Sequence, residues 1–290
     1  MKNLNLRGHT MKNLMVLTHT STRLTARLFA IVLFAALLFA VPFHSALAAP
    51  ALGPAESFAV LSGSAVTCTG STVTGDVGLY PVGSITDTGC TINNGVVDNG
   101  NAAADAAYTA FLSEYNALES ERCGTTLSSG NLAGLTLSPG VYCVTGASTT
   151  TSGTLTLNGP SNGVWIFKIG TGGTGTLTGT GLSVVMTGGG SPCNVYWWVA
   201  QAATMTTSAF QGTILAGAAI TLTGPGTFDG DVLAKAAVTL STDETIVGCK
   251  QAITPPSEPC QPCNCHSWTW GQSHKEPCDT DDNSKHDNGK

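Results

Sequence analysis

The feature that most constrains this chain is an internal repeat of 18 residues. Ala209–Thr223 (AFQGTILAGAAITLT) aligns with Thr227–Ser241 (TFDGDVLAKAAVTLS), and Phe, Gly, Leu, Ala, Thr and Leu coincide. A looser copy runs from Val195 to Thr206. A period of that length leaves room for about three short strands and three turns per coil, which is a β-solenoid rung of roughly triangular section. A β-sandwich is the rival, but it calls for longer strands and no fixed period. Tight corners and a narrow bore also account for the 35 glycines.

Strand alternation supports the repeat. Val66-Thr67-Cys68-Thr69, Thr154-Leu155-Thr156-Leu157 and Ile220-Thr221-Leu222-Thr223 change character with period two, aliphatic side chains inward and Thr outward. One segment breaks the pattern. Ala104, Tyr108, Phe111, Tyr115 and Leu118 recur at spacings of four and three, so a helix is expected over 101–121. Asn99 or Asn101 can cap its start, and Gly124 can end it.

The ends of the chain read differently. Lys2, Arg7, Lys12, Arg23 and Arg27 precede the apolar run Leu28–Phe43, and Ala46-Leu47-Ala48 follows as a small-x-small site. Residues 1–48 therefore read as a secretory signal peptide, with an uncleaved anchor as the alternative. The run is shorter than the ~20 residues of a bilayer span. Residues 49–249 form the Thr- and Gly-rich domain. Residues 250–290 form a Pro- and Cys-rich tail carrying Cys260, Cys263, Cys265 and Cys278, with His266, His274, Trp268 and Trp270. Zinc could be held there, but disulfides suit a secreted chain better.

Charge narrows the function. Only 10% of the chain is charged. Without residues 1–48, seven basic side chains stand against eighteen acidic ones, a net −11. Nucleic acid is a poor partner for such a surface. The domain holds no His and only Arg122, Lys168 and Lys235 as basic residues, so a Ser/His/Asp or Cys/His device cannot be assembled in it. Asp229-Gly230-Asp231 could place two carboxylates on one strand face, but two solvated turn residues are the expected reading. No catalytic residue, metal site or cofactor is implied.

Six segments then occur in a telling order: Phe58–Gly63 (FAVLSG), Thr74–Gly78 (TGDVG), Leu137–Tyr142 (LSPGVY), Trp165–Gly170 (WIFKIG), Cys193–Val199 (CNVYWWV) and Phe210–Ala216 (FQGTILA). Over about residues 52–249 the chain resembles the large secreted ice-binding (antifreeze) proteins of cold-living fungi, algae and bacteria. The resemblance implies a discontinuous right-handed β-solenoid with one long α-helix packed alongside and an N-terminal segment stacked beside the C-terminal coils. It also implies an ice crystal surface as the partner and a secreted, extracellular protein, expected to be a monomer. A secreted adhesion or carbohydrate-binding module on the same scaffold is the alternative.

The Thr ladders are the candidate contact surface. On the aligned rungs Thr204/Thr206, Thr221/Thr223 and Thr239/Ser241 take equivalent places, and looser alignment adds Thr176/Thr178 and Thr150/Ser152. Residues two apart on a strand lie about 6.6–6.8 Å apart and stacked strands about 4.8 Å, which makes a flat grid of methyls and hydroxyls. Thr213, aligned with Asp231, is expected on a different face. Cys68, Cys90, Cys123, Cys143, Cys193 and Cys249 are an even set, and spacing alone does not choose their connectivity. We carry forward Cys68–Cys90, Cys123–Cys143 and Cys193–Cys249 as the expected pairing.

Overall fold

The computed structural model describes residues 47–249, so the tail and all but the last two residues of the leader read from the sequence lie outside the described residues. Parallel pairing builds everything but the helix. One face of the solenoid runs, in spatial order, through strands at 97–99, 76–79, 58–62, 232–234, 213–216, 195–199, 165–169, 140–144 and 125–126. A second face runs through 84–88, 65–69, 238–241, 220–223, 203–206 and the first halves of 177–187 and 148–158. The second halves of those long strands continue into a third face with 209–211, 226–229, 244–247, 72–74 and 91–93. Three faces per coil give the expected triangular section.

The coil order is discontinuous in sequence. Val60 pairs with Val232, Val66 with Val238 and Thr72 with Thr245, so the N-terminal strands stack on the last coil of the domain. The helix then carries the chain to the opposite end, where 125–126 and 136–137 begin the remaining coils. All three expected disulfides are formed.

The bore is filled by apolar side chains from all three faces, among them Val66, Ile220, Leu222, Val238, Leu240 and Ile246, each 2% exposed or less. Aromatic rings climb through it. Phe167 stacks on Trp197 at 3.9 Å between centroids, Trp197 lies 4.9 Å from Phe210, and Phe210 lies 5.3 Å from Phe228. The same partner recurring one rung away is what a solenoid core offers such rings, and offset stacks add about 0.5–1.5 kcal/mol each beyond area burial.

The central strands of the first face are buried on both sides, which explains continuous apolar runs such as Val195–Val199 (VYWWV). Its outer side takes the helix Ala102–Ser120, whose Ala107, Phe111, Tyr115 and Leu118 pack with Leu61, Trp198, Leu215 and Leu233. Asn101 caps the helix, accepting from the Ala104 amide at 2.9 Å. Gly124 does not end it. The chain leaves at Glu121, and Lys168, reaching from the sheet, donates its ammonium to the carbonyls of Glu119 (2.9 Å) and Glu121. That cation meets the negative end of the helix dipole while 4% exposed, and burial pulls its pKa down against the pull of Glu121 and Glu119. Lys168→Met should therefore leave those carbonyls unpaired and cost about 1–3 kcal/mol of stability in a urea melt.

Candidate functional site

The second face carries two unbroken columns. In the first, Thr149, Thr178, Thr204, Thr221, Thr239, Thr67 and Thr86 stand in consecutive register. In the second, Thr151, Thr180, Thr206, Thr223, Ser241, Thr69 and Thr88 do the same. Between the columns the chain points inward at Leu222, Leu240, Met205 and Cys68, all buried. Most ladder threonines are half-buried, because each is shielded by the rung above and below. Ser241 donates to the Thr223 hydroxyl at 3.4 Å, along the column. A neighbouring column of small side chains, Ala65, Ala202, Ala219 and Ala237 with Thr176, extends the flat area.

The structure brings together Thr204, Thr206, Thr221, Thr223, Thr239 and Ser241 as the repeat implies. It corrects the two looser rungs. Thr150 is 1% exposed and faces inward, accepting from the Leu132 amide at 3.0 Å. Ser152 is the corner residue after the strand's first half, held at φ 53°. The outward pair on that rung is Thr149 and Thr151. The next rung slips by two: Thr178 belongs to the first column, Thr180 to the second, and Thr176 to the small-residue column. Thr67, Thr69, Thr86 and Thr88 were missed because they precede the helix by sequence, although Val66-Thr67-Cys68-Thr69 carried the same alternation.

A left-handed corner follows the second column on nearly every rung. Gly70, Gly89, Ser152, Gly181, Thr207 and Thr242 all have φ between 47° and 75°. That turn ends the face sharply, so the ladder has an edge rather than a curve. The third face is less regular. Thr91, Thr72, Thr245 and Thr227 align, but Ala209 interrupts them, and the adjacent column mixes Asn93, Thr74, Val247, Asp229, Gln211 and Val185.

Asp229 and Asp231 are not two solvated turn residues. Asp231 is 1% exposed, accepts from the Thr213 hydroxyl at 3.2 Å and from the Cys249 amide at 2.9 Å, and is pushed up to about 7 by burial against those hydrogen bonds. Asp229 lies half-buried on the third face, raised by the same cause. Thr213 stands on the first face, away from the threonine columns as expected, and is 1% exposed. Glu244 is 3% exposed at the corner beside Gly226, and burial pushes it up to about 7. A Cβ on Gly226 would sit 2.6 Å from the Glu244 carboxylate, so only Gly leaves it room.

Fold and surface together define a class: a discontinuous β-solenoid that presents one flat, uncharged, threonine-laddered face. Comparison with known proteins gives the family. The ice-binding-like family model matches residues 60–246. An ice-binding protein of Nostoc sp. (strain HG1) is 38% identical over 176 residues, 59% of this chain and 64% of that protein. One from Flammulina populicola is 32% identical over 188 residues, 57% of this chain and 74% of that protein. The chain thus spans less than two thirds of the Nostoc relative. Among solved structures, an ice-binding protein from an Antarctic biological consortium superposes with a TM-score of 0.65 at 33% identity, over 70% of this chain and 92% of that one. One from the Antarctic ascomycete Antarctomyces psychrotrophicus gives 0.64 at 28% identity, over 69% and 98%. This chain belongs to the ice-binding-like family.

The buried carboxylates set a pH dependence. Asp231 and Glu244 bind protons more tightly folded than unfolded, because their folded pKa values lie near 7 and the unfolded ones near 4. Their contribution is most favourable below the unfolded pKa and is lost as pH rises to about 7. The melting temperature in metal-free buffer should be higher at pH 5 than at pH 8. Glu244→Gln should flatten that difference.

Proposed function

We propose that this protein is secreted and binds ice through the two threonine columns of the second face, without catalysis. The observation that supports it most is the unbroken register of both columns across every rung of that face. The β-branched side chain leaves Thr few χ1 choices, so the grid is ordered before ice arrives and little entropy is lost on docking. Methyl groups cage surface water, and hydroxyls anchor it at spacings of about 4.8 Å by 6.6–6.8 Å. A Lys or Glu on the face would organise water around its own charge, and none stands in either column. Water held in this arrangement merges with the lattice of a growing crystal. Adsorbed molecules then force the ice front to curve between them, which lowers the local freezing point and blocks recrystallisation.

Secretion fits the disulfides and the sequence of residues 1–48. Among the described residues no helix is long and apolar enough to cross a membrane. The protein acts as a monomer in this reading, since a single face presents the whole ladder.

Thr223→Tyr is the sharpest test. Thr223 points outward at the centre of the ladder, so stability should change by only about 0.5 kcal/mol, as for ordinary surface changes. The ring should hold neighbouring rungs off the lattice, and thermal hysteresis should fall several-fold. Ala117→Tyr, on the exposed side of the helix, serves as the control and should keep full activity. Retained hysteresis in Thr223→Tyr would place the ice contact on another face.

A further inference from the structure

The two ends of the solenoid are finished differently. At the end where 125–126 and 136–137 begin their coils, the connecting loop puts Leu132 into the core at 0% exposure, and Leu127 and Leu135 pack against it. The other end has no such plug among the described residues. Its last coil consists of 84–88, 91–93 and 97–99, and each of these strands is an edge, paired on one side only. Large apolar side chains are exposed on this stretch: Val82 at 74%, Val96 at 59% and Val97 at 50%. Ile85 and Ile92 are half-buried, and a cavity of about 50 Å³ lined by Val66, Val73, Ile85, Ile92 and Val97 lies at the mouth of the bore.

Free strand edges above an apolar bore invite pairing with other chains, and folded proteins manage them by laying another segment across. A second copy stacked end to end makes too small an interface. Strands of three to five residues give a coil about 10–17 Å on a side, at most a few hundred Å² in section, against about 800 Å² per partner in a stable complex.

The chain itself supplies the nearer occupant. Its tail starts at the seam of the solenoid, where the N-terminal strands stack on the last coil and Gly248 packs against Ala59. On the third face 244–247 is followed by 72–74 and then by the 91–93 edge. Cys249 therefore leaves about two strand spacings, or ~10 Å, from the open end, a distance that roughly three extended residues span. Residues 250–290 provide 41. Their chemistry suits the surface. Trp268 and Trp270 are large and apolar, and 259–275 holds Lys275 but no acidic residue, whereas the open coil carries Asp87 and Asp98.

We propose that the tail folds back over this end, with Trp268 and Trp270 covering the exposed valines and the mouth of the bore. So placed, it holds the last coil in register. Strand 84–88 is the end rung of both threonine columns through Thr86 and Thr88, so fraying there shortens the ladder.

The test uses the secreted chain with its tail intact. Hydrogen–deuterium exchange of 82–99 is compared with that of a Trp268→Ser/Trp270→Ser double variant, in which every cysteine remains. Amides of 84–88, 91–93 and 97–99 should exchange roughly tenfold faster in the variant, while those of 203–223, in the middle of the stack, stay unchanged. A second measurement leaves the tail unaltered. The photoreactive residue p-benzoylphenylalanine is placed at Val96, which is exposed enough to accept it, and should crosslink within one chain to a peptide from 259–275. Equal exchange of 82–99 in the two proteins overturns the assignment. So does a crosslink that joins two copies or leaves the tail unlabelled. Neither readout involves ice, so failure here and retained hysteresis in Thr223→Tyr are separate results.

Discussion

Register is the constraint on which this structure depends. Each coil is bonded to the next by parallel backbone ladders on three faces, so a side chain's height and column are set once its strand is paired. A one-residue slip would turn Thr221 and Thr223 into the bore and Leu222 out to solvent. The inner columns prevent that slip. Ile220, Leu222, Val238 and Leu240 are completely or almost completely buried, and each would lose about 1.5–3 kcal/mol of transfer free energy on exposure. The flat outer face is thus a by-product of an apolar interior that tolerates one register only.

This dependence explains what the sequence discloses and what it hides. Where aliphatic and hydroxyl residues alternate, as in Ile220–Thr223 and Val238–Ser241, inward and outward positions can be read directly, and those rungs stand where the repeat puts them. Ser148–Ser152 (STTTS) carries no such alternation. There the choice falls to hydrogen bonds that no local pattern announces: Ser148 donates to the Gly130 carbonyl at 2.7 Å, and Thr150 accepts from Leu132. Both hydroxyls go inward because a neighbouring loop satisfies them. The rung at Leu177–Thr180 is obscured for a different reason. Gly179 takes an inward place, and Met205 fills the space its missing side chain leaves; a Cβ there would lie 2.7 Å from the Met205 sulfur.

The N-terminal rungs were harder still. Nothing in the order Val66 to Thr88 says that these strands join coils more than 150 residues later, because the pairing is made in space after the helix has carried the chain away. The helix itself was legible from its apolar stripe and Asn101. Its end was not, since Lys168 arrives from a strand distant in sequence. The disulfides follow the same geography. Cys68–Cys90 and Cys123–Cys143 join neighbours along the chain, whereas Cys193–Cys249 crosses the seam.

The three faces share one backbone plan but differ in the partner each can take. The central strands of the first are apolar on their outer side and covered by the helix, so they offer no flat exposed surface. The third has the same strand spacing as the second, yet Asp229, Gln211 and an exposed Val185 stand where a uniform column would be needed. Each of these holds water in a different pattern, so a lattice contact made at Thr227 is not repeated one row away. The second face alone repeats one chemistry over both columns. Acidic groups are not absent from this protein, and their placement is consistent with that division. Asp231 and Glu56 gather at the seam and Glu244 folds into a corner, leaving the ladder uncharged. Adsorption to a crystal sums many weak, identical contacts, which is why the proposed binding face is the one whose register is never interrupted.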